Sequence, residues 1–194
     1  MKTDVIVVSN DGNNMEAVLD QVDALASYRS LSPKNALHLR LLAEETLAMM
    51  RAITGDVDGK FWIEAENDVY ELHLKVDTLI NEHEREQLLS ASTTGKNEAT
   101  RGFMGKIRAL FQPVPGVPVF GTGLVAGAPP MYSNYEWSMV DYRNQLRQYR
   151  EQNGEGGQEA WDELEKSVVS RVANDVKVSI LGSTVEMTIV KRMS

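Results

Sequence analysis

Hydrophobic and polar positions repeat with a period that changes along the chain, and each period predicts an element. Thr3 to Ser9 is a run rich in Val and Ile that reads as a strand, followed by turn chemistry at Asn10-Asp11-Gly12-Asn13. Met15, Val18, Leu19, Val22, Leu25 and Ala26 recur at helical spacing, so residues 14–29 are expected to form an amphipathic helix. Ser32-Pro33 supplies a hydroxyl N-cap and a proline at the first helical position, where its missing N–H costs nothing. The helix it starts is expected to run to about Ile53 and stop before Gly55.

At about 100° per residue this second helix separates into faces. Leu39, Leu42, Thr46, Met49 and Ile53 form one apolar stripe, and Leu37, Leu41 and Ala48 form a second. A strip holding Lys34, His38 and Glu45 lies between them, while Arg40, Glu44 and Arg51 cluster on the polar side. Glu44 is therefore expected to be solvated, and Glu45 to sit between two buried stripes.

Beyond it, Lys60–Glu66 and Val69–Val76 read as paired strands around Asn67-Asp68, an I′-type turn. Tyr70, Leu72, Leu74 and Val76 alternate with Glu71, His73 and Lys75, which predicts one buried and one wet face, with Asp77 ending the strand. Helices are expected over 82–90, Lys106–Phe111, Trp137–Tyr149 and Trp161–Val172, with a polar loop at 90–100. Prolines and glycines break the apolar segment from Gln112 to Tyr132, which reads as a structured loop or short-stranded insertion. Val176–Ile180 and Val185–Val190 alternate around Gly182-Ser183, a hairpin signal. Together these elements predict one α/β domain over 1–194, interrupted by an inserted segment at 112–164. Its architecture is an α+β sandwich, a mixed and mostly antiparallel sheet with helices on one face.

Composition narrows the function classes. With 42% hydrophobic residues among 194, the chain can bury a real core. The absence of cysteine removes disulfides, thiol nucleophiles and thiolate metal sites together. Val5–Val8 is too short for a signal sequence, and no apolar run approaches the ~20 residues of a membrane span, so a soluble, cytoplasmic protein is expected. A net charge of −8 argues against nucleic acid as a partner. That charge is uneven: residues 1–90 hold 17 acidic and 8 basic side chains, whereas 91–131 set Lys96, Arg101, Lys106 and Arg108 against Glu98 alone.

Most motif matches dissolve on inspection. Gly121-Thr122-Gly123-Leu124-Val125-Ala126 fits a dinucleotide fingerprint by letter, but Pro129-Pro130 prevents the helix that must open behind it. His38, His73 and His83 show no metal-ligand spacing and read as ordinary surface histidines, and no serine lies in a G-x-S-x-G context. Tyr132, Tyr135, Trp137 and Tyr142 either stack on a ligand or anchor the inserted segment on the core.

One constellation stands out. The order is strand, helix, long helix with Glu45, two antiparallel strands, Asp77, polar loop, Gly102-x-x-Gly105, helix and terminal hairpin. It resembles the Bergerat-fold (GHKL) ATPases shared by histidine kinases, Hsp90-like proteins and anti-sigma-factor serine kinases. The likeness is closest to the anti-sigma group, in Leu31-Ser32-Pro33 through Leu41-Leu42-Ala43-Glu44-Glu45-Thr46-Leu47-Ala48-Met49-Met50-Arg51, and it covers about 1–111 and 165–191.

The resemblance implies a role for each matching residue. Glu45 takes the place of the glutamate that acts as base or water positioner toward the γ-phosphate. Asp77 takes that of the aspartate that accepts a hydrogen bond from the adenine amino group. Gly102 and Gly105 match the second glycine box, where a helix N-terminus cradles phosphates, and Arg101, Lys106 and Arg108 make it positive. The Mg²⁺-coordinating asparagine is replaced by Met49, whose thioether is a poor ligand for a hard cation. Thr78-Leu79-Ile80-Asn81 replaces the first Gly-rich run. The resemblance thus implies a regulatory protein of anti-sigma type with a degenerate, inactive ATP site and a sigma-factor-like protein partner, able to self-associate as a homodimer. An active ATP- and Mg²⁺-dependent kinase-like protein is the alternative, and a structural or assembly module binding through 112–164 is a third. The plainer reading of Glu45 and Asp77 is a carboxylate flanking a core stripe and a strand-ending acid satisfied by a turn.

Overall fold

A computed structural model of the chain describes residues 1–9, 13–54, 58–77, 135–153, 161, 164–165, 167–181 and 184–193. Among the described residues six strands form one sheet: β1 (Ile6–Val8), β2 (Gly59–Glu66), β3 (Val69–Asp77), β4 (Tyr135–Ser138), β5 (Asp175–Leu181) and β6 (Thr184–Arg192). Among the described residues four helices accompany them: α1 (Met15–Tyr28), α2 (Pro33–Thr54), α3 (Met139–Asn153) and α4 (Val168–Val172). The sheet order is β1-β2-β3-β6-β5-β4. Every described pairing is antiparallel, so the sheet is uniform where a mixed one was expected.

The pairing register sorts the side chains onto two faces. Ile6 pairs with Phe61, Phe61 with Leu74, Leu74 with Met187 and Met187 with Val178, giving an apolar row across five strands. Ile63, Leu72, Ile189 and Val176 form the next row. These residues are buried, apart from the partly covered Ile6, and they pack with Val18, Val22, Leu25, Leu39, Leu42 and Leu47 from the helices. The opposite face carries Lys60, Trp62, Glu64, Glu71, His73, Lys75, Glu186, Thr188 and Lys177. This is the expected α+β sandwich, with its helices on one face.

Local chemistry sets the boundaries. Ser32 Oγ accepts the Asn35 amide at 3.3 Å and caps α2, as its position before Pro33 predicts. Glu66 pairs with Val69 across the two-residue turn, and Asn67 adopts a positive φ of 50°, which asparagine tolerates. Helix α3 starts two residues later than its apolar spacing suggests, because Trp137 and Ser138 pair with β5. Ser138 Oγ then accepts the Asp141 amide at 3.2 Å, and Asp175 accepts that of Val140 at 3.1 Å, so a cap ends the strand and begins the helix. Residues 135–153 of the segment read as an insertion thus supply a strand and a helix to the sandwich, with Met139, Tyr142 and Leu146 in its core.

Helix α2 corrects one expectation. Its buried positions are Leu39, Leu42, Ala43, Thr46, Leu47 and Met49, whereas Ala48 is exposed, Leu41 is partly so and Leu37 is 56% exposed. At about 100° per residue Leu37, Leu41 and Ala48 lie roughly opposite Leu39, and a helix resting on a single layer buries only one arc. Glu45 therefore borders one buried arc and one exposed apolar strip. Of Ile53 only the backbone is described. The helices expected over 82–90 and Lys106–Phe111, and the loops around them, lie outside the described residues, as does Gly182-Ser183. Among the described residues no helix is long and apolar enough to cross a membrane.

Candidate functional site

Among the described residues that the family resemblance singles out, Glu45 and Asp77 do not converge. Glu45 is half-buried at the margin of α2, and Met49 is fully buried in the core four residues on. Asp77 ends β3 exposed, accepting the Thr184 hydroxyl at 2.7 Å with Lys60 Nζ 4.0 Å away. Since Val76 turns toward the helices, alternation turns Asp77 to the other face, and the sheet stands between its carboxylate and that of Glu45. Arg101, Gly102, Gly105 and Lys106 lie outside the described residues, as do Leu79 and the glycine pattern at 121–126.

A different cluster forms on the open face. Trp62 and His73 are register partners in β2 and β3, and their rings stack at 4.8 Å with an interplanar angle of 1°. The Trp62 indole N–H donates to Glu64 Oε1 at 2.9 Å, and Lys2 Nζ lies 3.0 Å from the same oxygen and 4.6 Å from the Trp62 ring centroid. The indole hydrogen bond, and after it the Lys2 ammonium, hold the Glu64 carboxyl below its ordinary value. His73 Nδ1 lies 3.2 Å from both Glu186 Oε1 and Thr188 Oγ1. On the other side of the ring, Nε2 is 3.8 Å from Glu71 Oε2, too far for a hydrogen bond, and it is buried without one among the described residues.

His73 is only 9% exposed, which overturns its reading as an ordinary surface histidine on a wet strand face. The cause is its cross-strand partner. Trp62 is the one aromatic in the otherwise polar outer row Lys60, Trp62, Glu64 and Glu66, and the two-residue turn places it directly opposite His73. That anomaly is the signal in the sequence from which the cluster could have been found.

Two further polar sites accompany it. Arg143, Arg147 and Arg171 line a cleft of about 460 Å³ between α3 and α4, together with Trp161, Leu164, Glu165 and Ser170. Arg143 donates to the Ser170 carbonyl at 3.1 Å and Arg171 to the Glu165 carbonyl at 2.7 Å, so the backbone positions both guanidinium groups. On α2, His38 Nδ1 is buried with no hydrogen-bond partner among the described residues. Burial, then the charges of Lys191 and Lys34, lower its pKa.

No family model matches the chain, and no curated protein matches its sequence.

Proposed function

We infer that the chain is a regulatory domain of anti-sigma-like type that acts by protein–protein contact, with a degenerate nucleotide site. The observation that carries this reading is the outer side of α2, where Leu37, Leu41 and Ala48 form an apolar strip on the helix that bears Glu45. An apolar strip on the solvent side of an otherwise amphipathic helix gains nothing from its own fold, and it suits a partner surface. The separation of Glu45 from Asp77 and the burial of Met49 support the loss of nucleotide chemistry, because a base, an adenine acceptor and a metal ligand must share one pocket to act on ATP.

Calorimetric titration with ATP and ADP, with and without Mg²⁺, tests the nucleotide half: no saturable heat is expected. A thermal shift with Mg-ATP that Asp77→Asn abolishes overturns it in favour of the active alternative. The contact half is tested by a photo-crosslinking side chain introduced at position 37. It is expected to capture one defined protein in cells, a sigma-like factor or a second copy of this chain, that a crosslinker at position 177 on the open face does not. Equal capture from both positions removes the α2 strip as the contact surface.

The arginine-lined cleft favours a second reading, a binding module that uses the space between α3 and α4. Three guanidinium groups against the single carboxylate of Glu165 leave the cleft net positive, which suits an acidic segment of a partner. Arg147→Glu is expected to weaken such a complex while leaving capture at position 37 intact.

A further inference from the structure

We propose that the open face of the sheet holds a site for one divalent transition-metal ion, with His73 Nε2 and the carboxylates of Glu64 and Glu71 as its protein ligands. Alternation puts Glu71 and His73 on the same face of β3, and the β2–β3 register sets Glu64 directly opposite Glu71. One donor atom from each of the three side chains lies within 4.8 Å of the other two, and Nε2 itself is 3.8 Å from Glu71 Oε2. Tetrahedral coordination at Zn–N and Zn–O lengths brings such atoms to about 3.3 Å, so binding requires the two partly exposed glutamate side chains to move inward.

The strongest evidence is the state of the imidazole. Nδ1 lies 3.2 Å from both Glu186 Oε1 and Thr188 Oγ1, and the neutral tautomer that satisfies the carboxylate, which only accepts hydrogen bonds, carries its proton on Nδ1. In that tautomer Nε2 carries the lone pair, and it is buried with no hydrogen-bond partner among the described residues, 3.8 Å from Glu71 Oε2. A buried acceptor left without a partner is costly, and a cation between the three groups removes that cost. A carboxylate that holds one nitrogen of a histidine while the other binds a metal is the usual support for such a ligand. Stacking on Trp62 fixes the ring plane as well.

Charge points the same way. Two carboxylates directly opposite in a ladder repel each other. Lys2 lies within ion-pair distance of Glu64, whereas no lysine or arginine among the described residues lies within that distance of Glu71. One imidazole nitrogen with two carboxylate oxygens is a borderline donor set, suited to Zn²⁺, Ni²⁺ or Co²⁺ and poorly suited to Mg²⁺, which demands an oxygen shell. This site is independent of the regulatory reading, because it lies across the sheet from α2.

The test uses the full chain stripped with a chelator and titrated with ZnCl₂, with MgCl₂ as the comparison. One equivalent of Zn²⁺ is expected to bind and raise the melting temperature, and Mg²⁺ to do neither. Glu71→Gln, a conservative change at a half-buried position, is expected to abolish binding while the variant still melts cooperatively. Glu186→Gln is expected to weaken it about 10–100-fold by releasing the ring proton from Nδ1. Co²⁺ is expected to quench Trp62 fluorescence, and Trp62→Phe to remove that quenching. The proposal is overturned if the folded chain binds no Zn²⁺ below about 100 μM, or if binding survives Glu71→Gln. It is equally overturned if binding is lost in His38→Gln or His83→Gln instead.

Discussion

The two faces of one sheet solve opposite problems with the same alternation. On the covered face, Phe61, Ile63, Leu72, Leu74, Met187 and Ile189 meet the helices, and burial is bought by dispersion and loss of apolar surface to water. On the open face, Trp62 and His73 reach 9% exposure beneath no described helix, by stacking on each other and drawing in Lys2, Glu64, Glu186 and Thr188. The first face tolerates any apolar filling of the right volume. The second depends on particular donors and acceptors, and so it can hold chemistry.

That contrast breaks first at the covered face. Leu72→Ala in the central strand is expected to cost about 4 kcal/mol, because it removes a fully buried side chain flanked by Ile63 and Ile189. Lys177→Ala on the open face is expected to change stability by less than about 0.5 kcal/mol. Urea unfolding midpoints compare the two directly. Equal losses would mean that the sandwich core does not dominate the stability of the sheet.

Trp62→Ala sharpens the comparison from the other side. It removes the stack on His73, the hydrogen bond to Glu64 and the surface beneath Lys2, and it is expected to cost about 2 kcal/mol. Trp62→Phe is expected to recover more than half of that loss, since an aromatic face remains while the indole N–H does not. If Trp62→Ala proves no worse than Lys177→Ala in the same urea series, the open-face cluster contributes nothing to folding.

How much of this could be read in the residues depends on the range of the interaction that decides it. The β2–β3 hairpin follows from period-two alternation and a two-residue turn, both local, and its ends fall within a residue of expectation. The Leu39–Leu42–Met49 arc of α2 follows from the helical period. Apolar spacing alone does not say which of two arcs meets the core, and so Leu37, Leu41 and Ala48 read as buried while facing outward. The start of α3 was displaced by a non-local event, the pairing of Trp137 and Ser138 with a strand about 40 residues further on. The site was least legible. Asp77 and Glu45 fit a family order along the chain, but the strand's parity puts them on opposite faces, whereas His73 gains its partners from β2 and β6 through register.

Ser138 joins the two faces, because it ends β4 and caps the helix that α3 adds to the covered side. Ser138→Ala is expected to cost about 1 kcal/mol, and Ser138→Asp to retain most of the capping but to suffer repulsion from Asp175. Thermal melts of the two variants separate the contribution of the cap from that of the Asp175 contact. A neutral Ser138→Ala would show that Asp175 alone holds the helix start.

The smallest effect distinguishes the two histidines. His73 sits on the open face with its Nδ1 engaged, whereas His38 sits on α2 with its Nδ1 buried and unpartnered. Burial above all, and then Lys191 on β6 and Lys34 on its own helix, hold His38 below its ordinary value of 6.5. The folded protein therefore takes up this proton less readily than the unfolded chain does. The stability linked to His38 is complete above pH 6.5 and is lost as the pH falls through the lower folded value. His38→Gln removes the titrating group, so the variant is expected to lose less stability than the parent between about pH 7.5 and 5.5. The comparison of urea midpoints at the two pH values isolates His38, since every other titrating group is common to both proteins. Equal losses would place His38 in water, and with it the margin of α2 that also bears Glu45.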